Sequence, residues 1–368
     1  MEAWYEVQNI DQLASPALLL YPKRIAHNIE LLKSMVDHDN SRVCPHVKTH
    51  KMLEVSKMMI DAGIDQFKCS TIAEAEMLAL ANAKDVLLAY QPVGPNIKRW
   101  QKLILAYPNT QFSCLLDNVN SIQAMNDAAV EINKVLDFYL DIDLGMGRTG
   151  AAFSQIKELW ETIRQQENLR LQGVHGYDGQ INNPDIEVRK KEADSGFDLL
   201  QKSYDFLQEH SDQSLKIVVG GSPSFTAHAE RKNVACSPGT FVFWDWGYSE
   251  KIPEQKFKVA AVLLTRVISV INENRICIDL GYKAVASESP LPRVKFLNAN
   301  DAVPVLQSEE HMVLTVEDSH NYPVGTALYA IPLHICPTVA LYEKVAVIED
   351  KEYAKDWQVI ARNRALNI

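Results

Sequence analysis

The sequence lacks the features that mark several large classes of protein. No Gly-x-Gly-x-x-Gly turn follows an early strand, which argues against an open dinucleotide-binding sheet. No apolar run approaches the roughly 20 residues that span a bilayer, and no Cys-x-x-Cys pair or internal repeat is present. The N-terminal residues are acidic and lack an apolar segment, so we expect no signal peptide. A composition of 47% apolar and 23% charged residues is typical of a soluble globular protein.

The net charge indicates which classes of partner the protein can bind, and the cysteines indicate its cellular compartment. A net charge of -10 at pH 7 argues against nucleic acid or an anionic membrane as the main partner, because both repel an acidic protein. Six cysteines without a secretory signal indicate reduced thiols, and we predict a cytoplasmic protein. Cys44, Cys69 and Cys114 fall in predicted strands, where we expect inert core residues.

Strand-length apolar runs alternate with helix-like segments over the first two thirds of the chain. The runs cover residues 17–21, 42–46, 66–70, 86–90, 111–116, 137–143, 171–177 and 215–219. Eight strands, each followed by a helix, predict a (β/α)8 TIM-type barrel, which we place at residues 15–245. An open doubly wound sheet is the competing architecture.

Helical periodicity stops after about residue 245. Short β-rich runs separated by turn residues follow at 259–270, 275–279, 312–316, 327–331 and 344–348. They predict a C-terminal, mainly antiparallel β-domain at residues 246–368, with residues 1–14 a candidate addition to it.

Polar residues gather where the predicted barrel strands end, which is where barrels carry their active sites. Lys48 follows the second run, Arg148 the sixth, Tyr177 the seventh, and a Gly-Gly-Ser turn at 220–222 the eighth. A lysine in a partly dry pocket can form a Schiff base, and a glycine turn can direct N–H groups at a phosphate. Together they indicate pyridoxal phosphate, with Lys48 as the covalent anchor. The alternative is a solvated basic loop around Lys48 and an ordinary strand end at 220–222.

Four segments resemble the D-threonine aldolase and D-serine dehydratase family. They are PHVKTHK at 45–51, SPA at 15–17, CSTIAEAE at 69–76 and PGTFVFWD at 238–245. The stretch DLGMGRTG at 143–150 resembles the related alanine racemases. The resemblance covers most of the chain and implies a fold-type III pyridoxal-phosphate enzyme, usually a homodimer.

The resemblance also implies roles for single residues. Lys48 would carry the cofactor and act in catalysis, Arg148 would contact the phenolic oxygen of its ring, and Tyr177 would lie beside it as a second catalytic residue. The implied phosphate-loop residues are Gly220, Gly221, Ser222, Gly239 and Thr240. One position departs from the pattern, because Ser237 stands where relatives often have arginine.

His334 and Cys336 form a second candidate site in the β-domain. Residues two apart on a strand face the same way, and imidazole and thiolate suit zinc. A buried cysteine beside a structural histidine is the alternative. The resemblance implies a metal pair next to the cofactor, in the His-x-Cys form of the D-serine dehydratases, with zinc or manganese as the divalent ion. Residues 309–311 are a further candidate to shape this region.

These features together predict a metal-dependent lyase acting on a small-molecule β-hydroxy-D-amino acid. The metal would act as a Lewis acid on the β-oxygen. If the amine of Lys48 removes the Cα proton, the hydroxyl leaves by β-elimination; if a base deprotonates the hydroxyl, the Cα–Cβ bond breaks in a retro-aldol cleavage. The His-x-Cys pair leans towards elimination. The alternatives are an amino-acid racemase, for which Tyr282 or Tyr322 would supply a second base, and a non-catalytic pyridoxal-phosphate carrier.

Overall fold

The computed structural model describes residues 3–368, which divide into two compact units. A β-unit contains the described residues up to Leu31, with Thr49–Met52 and Thr240–Arg362, and a barrel unit contains Leu32–Lys48, Leu53–Gly239 and Asn363–Ile368. Within residues 3–368 no helix has both the length and the apolar content of a membrane span.

The strands are β1 (Ala17–Leu20), β2 (Gln66–Cys69), β3 (Asp85–Leu88), β4 (Gln111–Leu116), β5 (Leu136–Asp143), β6 (Leu169–Tyr177), β7 (Lys216–Val219), β8 (Ala235–Cys236), β9 (Ala261–Asn272), β10 (Arg275–Ile278), β11 (Val294–Phe296), β12 (Val303–Gln307), β13 (Met312–Thr315), β14 (Ala327–Pro332), β15 (Lys344–Glu349) and β16 (Glu352–Gln358). The helices are α1 (Pro22–Ser34), α2 (Leu53–Asp61), α3 (Ile72–Leu80), α4 (Pro95–Ala106), α5 (Val119–Glu131), α6 (Ile156–Ile163), α7 (Ile186–His210), α8 (Phe225–Ala229), α9 (Trp246–Lys251) and α10 (Ile335–Val339).

Seven parallel strands, β2 to β8 in sequential order, form the sheet of the barrel unit. Residues 43–46 join its two edges: the N–H of Cys44 donates to the carbonyl of Cys236 at 2.7 Å, and the N–H of Lys68 donates to the carbonyl of Pro45 at 2.9 Å. Isolated parallel bridges pair Val43 with Cys236 and His46 with Lys68. This closing segment, residues 43–46, therefore takes the first of eight positions around the barrel and pairs both edges that an open sheet would expose.

The barrel is filled by apolar side chains from most of its strands. One interior cluster consists of Cys44, Leu87, Leu115, Tyr139, Val218 and Ala235. Cys69 and Cys114 are also buried, and burial raises the pKa of the Cys44 thiol to about 12. The three cysteines are buried as predicted, and Cys44 is held in its unreactive thiol form.

The first predicted barrel strand is wrong. β1 pairs antiparallel with β9 and parallel with β15, so it is a central strand of the β-unit. Leu18, Leu19 and Leu20 are fully buried, so both faces of β1 are covered, and such a strand has the continuous apolar pattern of a barrel strand. The eighth barrel position is instead filled by β8, which has two residues. Each later barrel strand therefore occupies one position earlier than predicted.

The β-unit is a mainly antiparallel sheet, as predicted. Its order is β12-β13-β10-β9-β1-β15-β16, with β14 pairing both β9 and β11, and the one parallel pair recorded in the described residues is β1 with β15. Its core lies around the central strands β1 and β9 and includes Leu19, Val262, Leu264, Tyr329 and Ile348. The sequence pattern predicted β9, β10, β13, β14 and β15 but not β11, β12 and β16.

Candidate active site

Lys48 lies directly after the closing segment of the barrel, in the short 3-10 turn Val47–Thr49. Its backbone N–H donates to Nδ1 of the buried His46 at 3.2 Å, which fixes the turn. The side chain borders a cavity of about 340 Å3 at the end of the strands where barrel enzymes carry their active sites. The other lining residues include His46, Lys68, Ser70, Tyr90, Asp141, Arg148, His175 and Tyr177.

Tyr177, the last residue of β6, brings the predicted barrel residues together. Its ring centroid lies 5.5 Å from Nζ of Lys48 and 5.0 Å from Cζ of Arg148. Lys48 and Arg148, which are 100 positions apart in the sequence, thus lie beside one aromatic ring. The side chain of Lys48 points to the same rim as Arg148, which is the arrangement that a covalent cofactor site at this rim requires.

The glycine-rich loop after β5 positions Arg148. Asp143 accepts the N–H groups of Gly145 and Gly147 at 2.9 and 3.1 Å, which holds the turn from inside. Gly150 has φ +105°, and a Cβ there would lie 2.5 Å from the backbone nitrogen of Asp143. Glycine is therefore required at residue 150 for the loop to return to the barrel with Arg148 at the cavity.

A second glycine turn follows β7. Gly220 has φ +80°, and a Cβ on Gly221 would lie 3.0 Å from Cε2 of Tyr177, so the loop backbone runs against the tyrosine ring. The N–H of Gly239 donates to Oγ of Ser222 at 3.2 Å, which joins the loops after β7 and β8. In barrels this pair of loops commonly binds phosphate. Thr240 belongs to the β-unit, where its hydroxyl lies 3.5 Å from Sγ of Cys336.

A buried carboxylate that the sequence analysis missed supports this turn. Asp178 accepts the hydroxyl of Ser224 at 2.7 Å and bonds Nε2 of His228 at 2.7 Å. Oγ of Ser224 in turn accepts the N–H of Gly221 at 3.3 Å. Burial acts to raise the pKa of Asp178, but the hydrogen bonds with His228 and Ser224 outweigh it, and the pKa lies below its usual value. Asp178 therefore stays ionised and ties the residue after Tyr177 to the glycine turn.

We expect Gly220→Ala to weaken pyridoxal-phosphate binding about tenfold, because an alanine at φ +80° is strained. Its Cβ would also lie 2.6 Å from Cδ2 of His228 and push the turn out of place. Cofactor titration followed by absorbance measures the effect. Gly325→Ala is the matched control, since Gly325 also has positive φ but has open space around it. Equal cofactor affinity in both variants would contradict a role for the turn.

Three further polar residues missed by the sequence analysis lie deeper in the barrel. Nζ of Lys68 is 3.3 Å from Nε2 of His175, and Nδ1 of His175 is 2.7 Å from Oδ1 of Asp141. Asp141 and His175 are register partners on β5 and β6. Burial, and then the Lys68 cation, keep the pKa of His175 below its ordinary value, so the ring is neutral. The available signal was a charged or polar residue inside an apolar strand, as in Phe67-Lys68-Cys69.

The barrel residues fit pyridoxal phosphate. The cofactor needs an amine to bond, an aromatic face to stack on and a backbone cradle for its phosphate. Lys48 and Tyr177 supply the first two, and the backbone of Gly221 runs against the Tyr177 ring, which places the candidate phosphate turn beside the aromatic face. The cavity is also within the size range of small-molecule sites.

His334 and Cys336 meet in the β-unit, but not on a strand. His334 is the N-cap of α10 and Cys336 lies in its first turn, so the strand geometry expected for the pair is wrong. A short helical turn instead brings the two side chains close enough for each to shift the pKa of the other. Asp245 accepts the N–H of Ile335 at 3.1 Å and holds the start of this turn.

The electrostatics of the pair suit a metal. Burial acts to lower the pKa of His334, but the hydrogen bond with Cys336 and the carboxylate of Glu288 raise it to about 9. Burial acts to raise the pKa of Cys336, yet His334 and the hydroxyls of Thr49 and Thr240 lower it overall. Glu288 Oε1 lies 2.6 Å from Nδ1 of His334. A thiolate beside a histidine whose other nitrogen is fixed by a carboxylate becomes a donor set that zinc accepts once the ion displaces the proton that His334 holds with a pKa of about 9.

The metal would have two protein ligands of this kind. Among residues 3–368 no group of three or more His, Cys, Asp or Glu side chains is arranged to hold an ion. The candidate segment 309–311 is an exposed turn in which Glu309 and Glu310 pair with Lys283. The remaining coordination positions would be left to water or substrate, which is more open than the usual catalytic zinc site with three protein ligands.

Two family models match the chain. The "Alanine racemase, N-terminal domain" model matches residues 21–245, which is more than half of the chain, and the "Putative serine dehydratase domain" model matches residues 260–348. The chain is 23% identical to a D-threonine aldolase of Arthrobacter sp over 95% of this chain and 92% of the relative. It is 25% identical to a 3-hydroxy-D-aspartate aldolase of Paracoccus denitrificans (96% and 93% covered) and 22% identical to a D-serine dehydratase of Dictyostelium discoideum (93% and 95% covered).

Solved structures show the same fold. D-threonine aldolase from Filomicrobium marinum superposes with a TM-score of 0.88 at 22% identity, covering 98% of this chain and 99% of that one. D-threo-3-hydroxyaspartate dehydratase from Delftia sp. HT23 gives a TM-score of 0.81 at 22% identity, with 94% and 97% covered. A cysteine-to-alanine variant of the latter enzyme is known in a metal-free form. With its two family matches and its shared fold, this chain belongs to the alanine racemase N-terminal-domain family, in the D-threonine aldolase and D-serine dehydratase group of pyridoxal-phosphate lyases.

Proposed function

We propose that this protein is a pyridoxal-phosphate- and metal-dependent lyase that acts on a β-hydroxy-D-amino acid. The observation that carries the proposal is the placement of Lys48 and Arg148 around the ring of Tyr177, on the rim of one cavity. The substrate class follows from the relatives, which are aldolases and dehydratases of D-amino acids that carry a β-hydroxyl.

The barrel residues would bind the cofactor and move the Cα proton. Bound pyridoxal phosphate supplies an electron sink for the carbanion at Cα. Lys48 holds the cofactor and, once displaced by the substrate, offers its free amine to the Cα proton. Tyr177 and Arg148, which lie together on the rim of the cavity, would hold the cofactor ring. The glycines at 220, 221 and 239, with Ser222 and Thr240, are the proposed phosphate ligands.

His334 and Cys336 would hold the divalent metal, with zinc as the first candidate and manganese as the second. The metal supplies Lewis acidity to the β-hydroxyl of the substrate. Glu288 orients the imidazole, and Thr49, whose Oγ1 lies 3.1 Å from Sγ, stabilises the thiolate of Cys336. Such outer hydrogen bonds fix the ligands before the ion arrives.

The ligand type favours β-elimination over retro-aldol cleavage. Elimination needs the Cα proton removed and the hydroxyl polarised, and the free amine of Lys48 can take that proton. Cleavage needs a separate base at the β-hydroxyl. A D-threo-3-hydroxyaspartate dehydratase of the same fold is known as a cysteine-to-alanine variant in a metal-free form, and Cys336 is the cysteine that we propose as a metal ligand here.

Neither alternative receives comparable support. The hydroxyl of Tyr322 donates to Asp301, and burial together with that bond raises the pKa of Tyr322 to about 12, which does not suit a second base for racemisation. A carrier would have no use for a histidine and a cysteine that shift each other's pKa as His334 and Cys336 do.

Product identification tests the reaction. We expect the protein loaded with pyridoxal phosphate and zinc to convert D-serine to pyruvate and ammonia, because elimination gives an enamine that hydrolyses to the keto acid. Mass spectrometry of the products of D-serine and D-threonine separates the two reactions. L-serine and L-threonine are the controls and should remain unchanged. Glycine and acetaldehyde from D-threonine, without keto acid, would replace the dehydratase assignment by the aldolase one.

Two earlier expectations stay predictions. The first is a homodimer, in which the partner would be a second copy of this chain. The second is the cytoplasm as the compartment.

A further inference from the structure

Lys68 is a buried lysine that the proposed function does not use. Lys68 is 1% exposed. The centroid of the Tyr177 ring lies 5.5 Å from Nζ of Lys68 and equally 5.5 Å from Nζ of Lys48. Within residues 3–368 the ammonium has one hydrogen-bonded partner, Nε2 of His175. An ammonium carries three donors, so two remain, and Lys68 lines the cavity that Lys48 borders.

The partners of Lys68 hold it in a charged, oriented state. Because the Asp141 carboxylate can only accept, Nδ1 of His175 carries the ring proton and Nε2 is left to accept from the ammonium of Lys68. His175 thus stands between the Asp141 carboxylate and Lys68, so the carboxylate does not pair with the ammonium directly. The two hydrogen bonds fix the direction of the amine, in the way that a carboxylate orients a catalytic histidine.

The cavity has an excess of positive charge. Lys48, Lys68 and Arg148 all face it, whereas the carboxylates of Asp141 and Asp178 are already bonded to histidines. Burial lowers the pKa of Lys68 to about 8. The titratable groups facing it are Cys44, Lys48, Asp141, His175 and Asp178. A dry pocket with three cations is stabilised by a bound anion.

The order of groups around the barrel matches the order of groups on pyridoxal phosphate. The phosphate arm, the aldehyde carbon and the phenolic oxygen occupy three consecutive carbons of the cofactor ring. Around the barrel, the loops after β7 and β8 come first, then the closing segment with Lys48, then β2 with Lys68. The anionic group of the cofactor that is next to its bond with Lys48, on the side away from the phosphate, is the phenolic oxygen.

We propose that Lys68 is a second cofactor-binding amine, whose ammonium, oriented by His175, pairs with the phenolic oxygen of pyridoxal phosphate bound at Lys48. The inference rests on the proposed function, since it requires the cofactor at Lys48. It adds to the role of Arg148, which approaches the same ring from the loop after β5. Lys68 would bind and hold charge, and it forms no bond to the cofactor.

A pH titration of the lysine-bound cofactor tests the pairing. A cation at the phenolic oxygen disfavours the proton on the neighbouring imine nitrogen, so its removal should raise the pH at which that proton is lost. In Lys68→Met we expect the midpoint of the visible absorbance titration to rise by about one pH unit. The dissociation constant of pyridoxal phosphate should increase about tenfold, since a charge-assisted contact is lost. Both are read without substrate turnover.

Two variants control the measurement. Lys68→Arg keeps the charge and should keep the midpoint close to that of the unaltered protein. Lys57→Met removes an exposed lysine from α2 and should change neither quantity. Methionine has nearly the shape of lysine and so leaves little empty space in the barrel, although Nε2 of His175 loses its partner. Thermal unfolding confirms that each variant is folded.

Each outcome is decisive. If Lys68→Met leaves the midpoint and the dissociation constant unchanged while Lys48 is labelled by borohydride, the pairing is overturned and the proposed function stands. If borohydride labels Lys68 in the unaltered protein, Lys68 is the anchor and the pairing is wrong. If the unaltered protein binds no pyridoxal phosphate, the proposed function fails and the inference fails with it.

Discussion

Lys48→Ala is expected to lower the lyase rate by about 10^4-fold or more, which is the scale seen when a covalent catalytic group is removed. The variant loses both the bond that holds the cofactor and the amine that would take the Cα proton. The turn that carries Lys48 should survive, because its hydrogen bond to His46 comes from the backbone N–H and not from the amine. Steady-state turnover of D-serine measures the loss.

Borohydride reduction gives the same test a chemical readout. Reduction of the unaltered protein with pyridoxal phosphate, followed by peptide mapping, should mark Lys48, and the mark should be absent from Lys48→Ala. Lys51→Ala is the neighbouring control, and it should keep both activity and label. A label on Lys51, or on no lysine, would refute the assignment of the anchor.

Removal of the metal is expected to have the second largest effect. Chelation should lower D-serine turnover about a hundredfold or more, because the β-hydroxyl would then leave without a Lewis acid. Zinc, or manganese if that is the working ion, should restore the rate. Turnover with and without chelator, together with metal analysis of the purified protein, measures this.

Substitution of the ligands separates a metal site from a structural pair. Cys336→Ala should abolish stoichiometric zinc binding and most turnover, while cofactor absorbance at Lys48 is retained. Cys277→Ala, at the other partly buried cysteine of the β-unit, should bind zinc and turn over normally. Full activity of Cys336→Ala in a metal-free sample would remove the metal from the reaction.

The parts of the site that the sequence predicted are those marked by strand ends and glycine turns. Lys48, Arg148 and Tyr177 could be predicted to meet because the ends of parallel barrel strands share one rim. The sequence signal for strand position was weaker. The leucines of β1 are buried on both sides in a mixed sheet, and this pattern is the same in a parallel barrel. β8 has two residues, too few to show any periodicity.

The rest of the site depends on contacts that single-residue patterns do not encode. Lys68, Asp141 and His175 each interrupt an apolar strand, but only the register of β5 with β6 shows that the last two are neighbours. The His334 and Cys336 pair was placed on a strand because a spacing of two suits a pleat, whereas Asp245 fixes a helical turn there. His334 and Cys336 were therefore expected to be neighbours because of a strand, whereas they are neighbours because of a helical turn.

The closing segment has a consequence for how the protein acquires its cofactor. Its hydrogen bonds run to Cys236 and Pro238 on one side and to Lys68 on the other, so residues near the two ends of the barrel sequence must meet before the turn at Lys48 is fixed. Such long-range pairing forms late and slowly in folding. In an incompletely folded chain, Lys48 would lie on a strand that is not yet paired and away from the ring of Tyr177. The aldehyde of pyridoxal phosphate would therefore bind only to molecules whose barrel has formed. Pyridoxal phosphate would then stabilise the folded protein by mass action without increasing its folding rate.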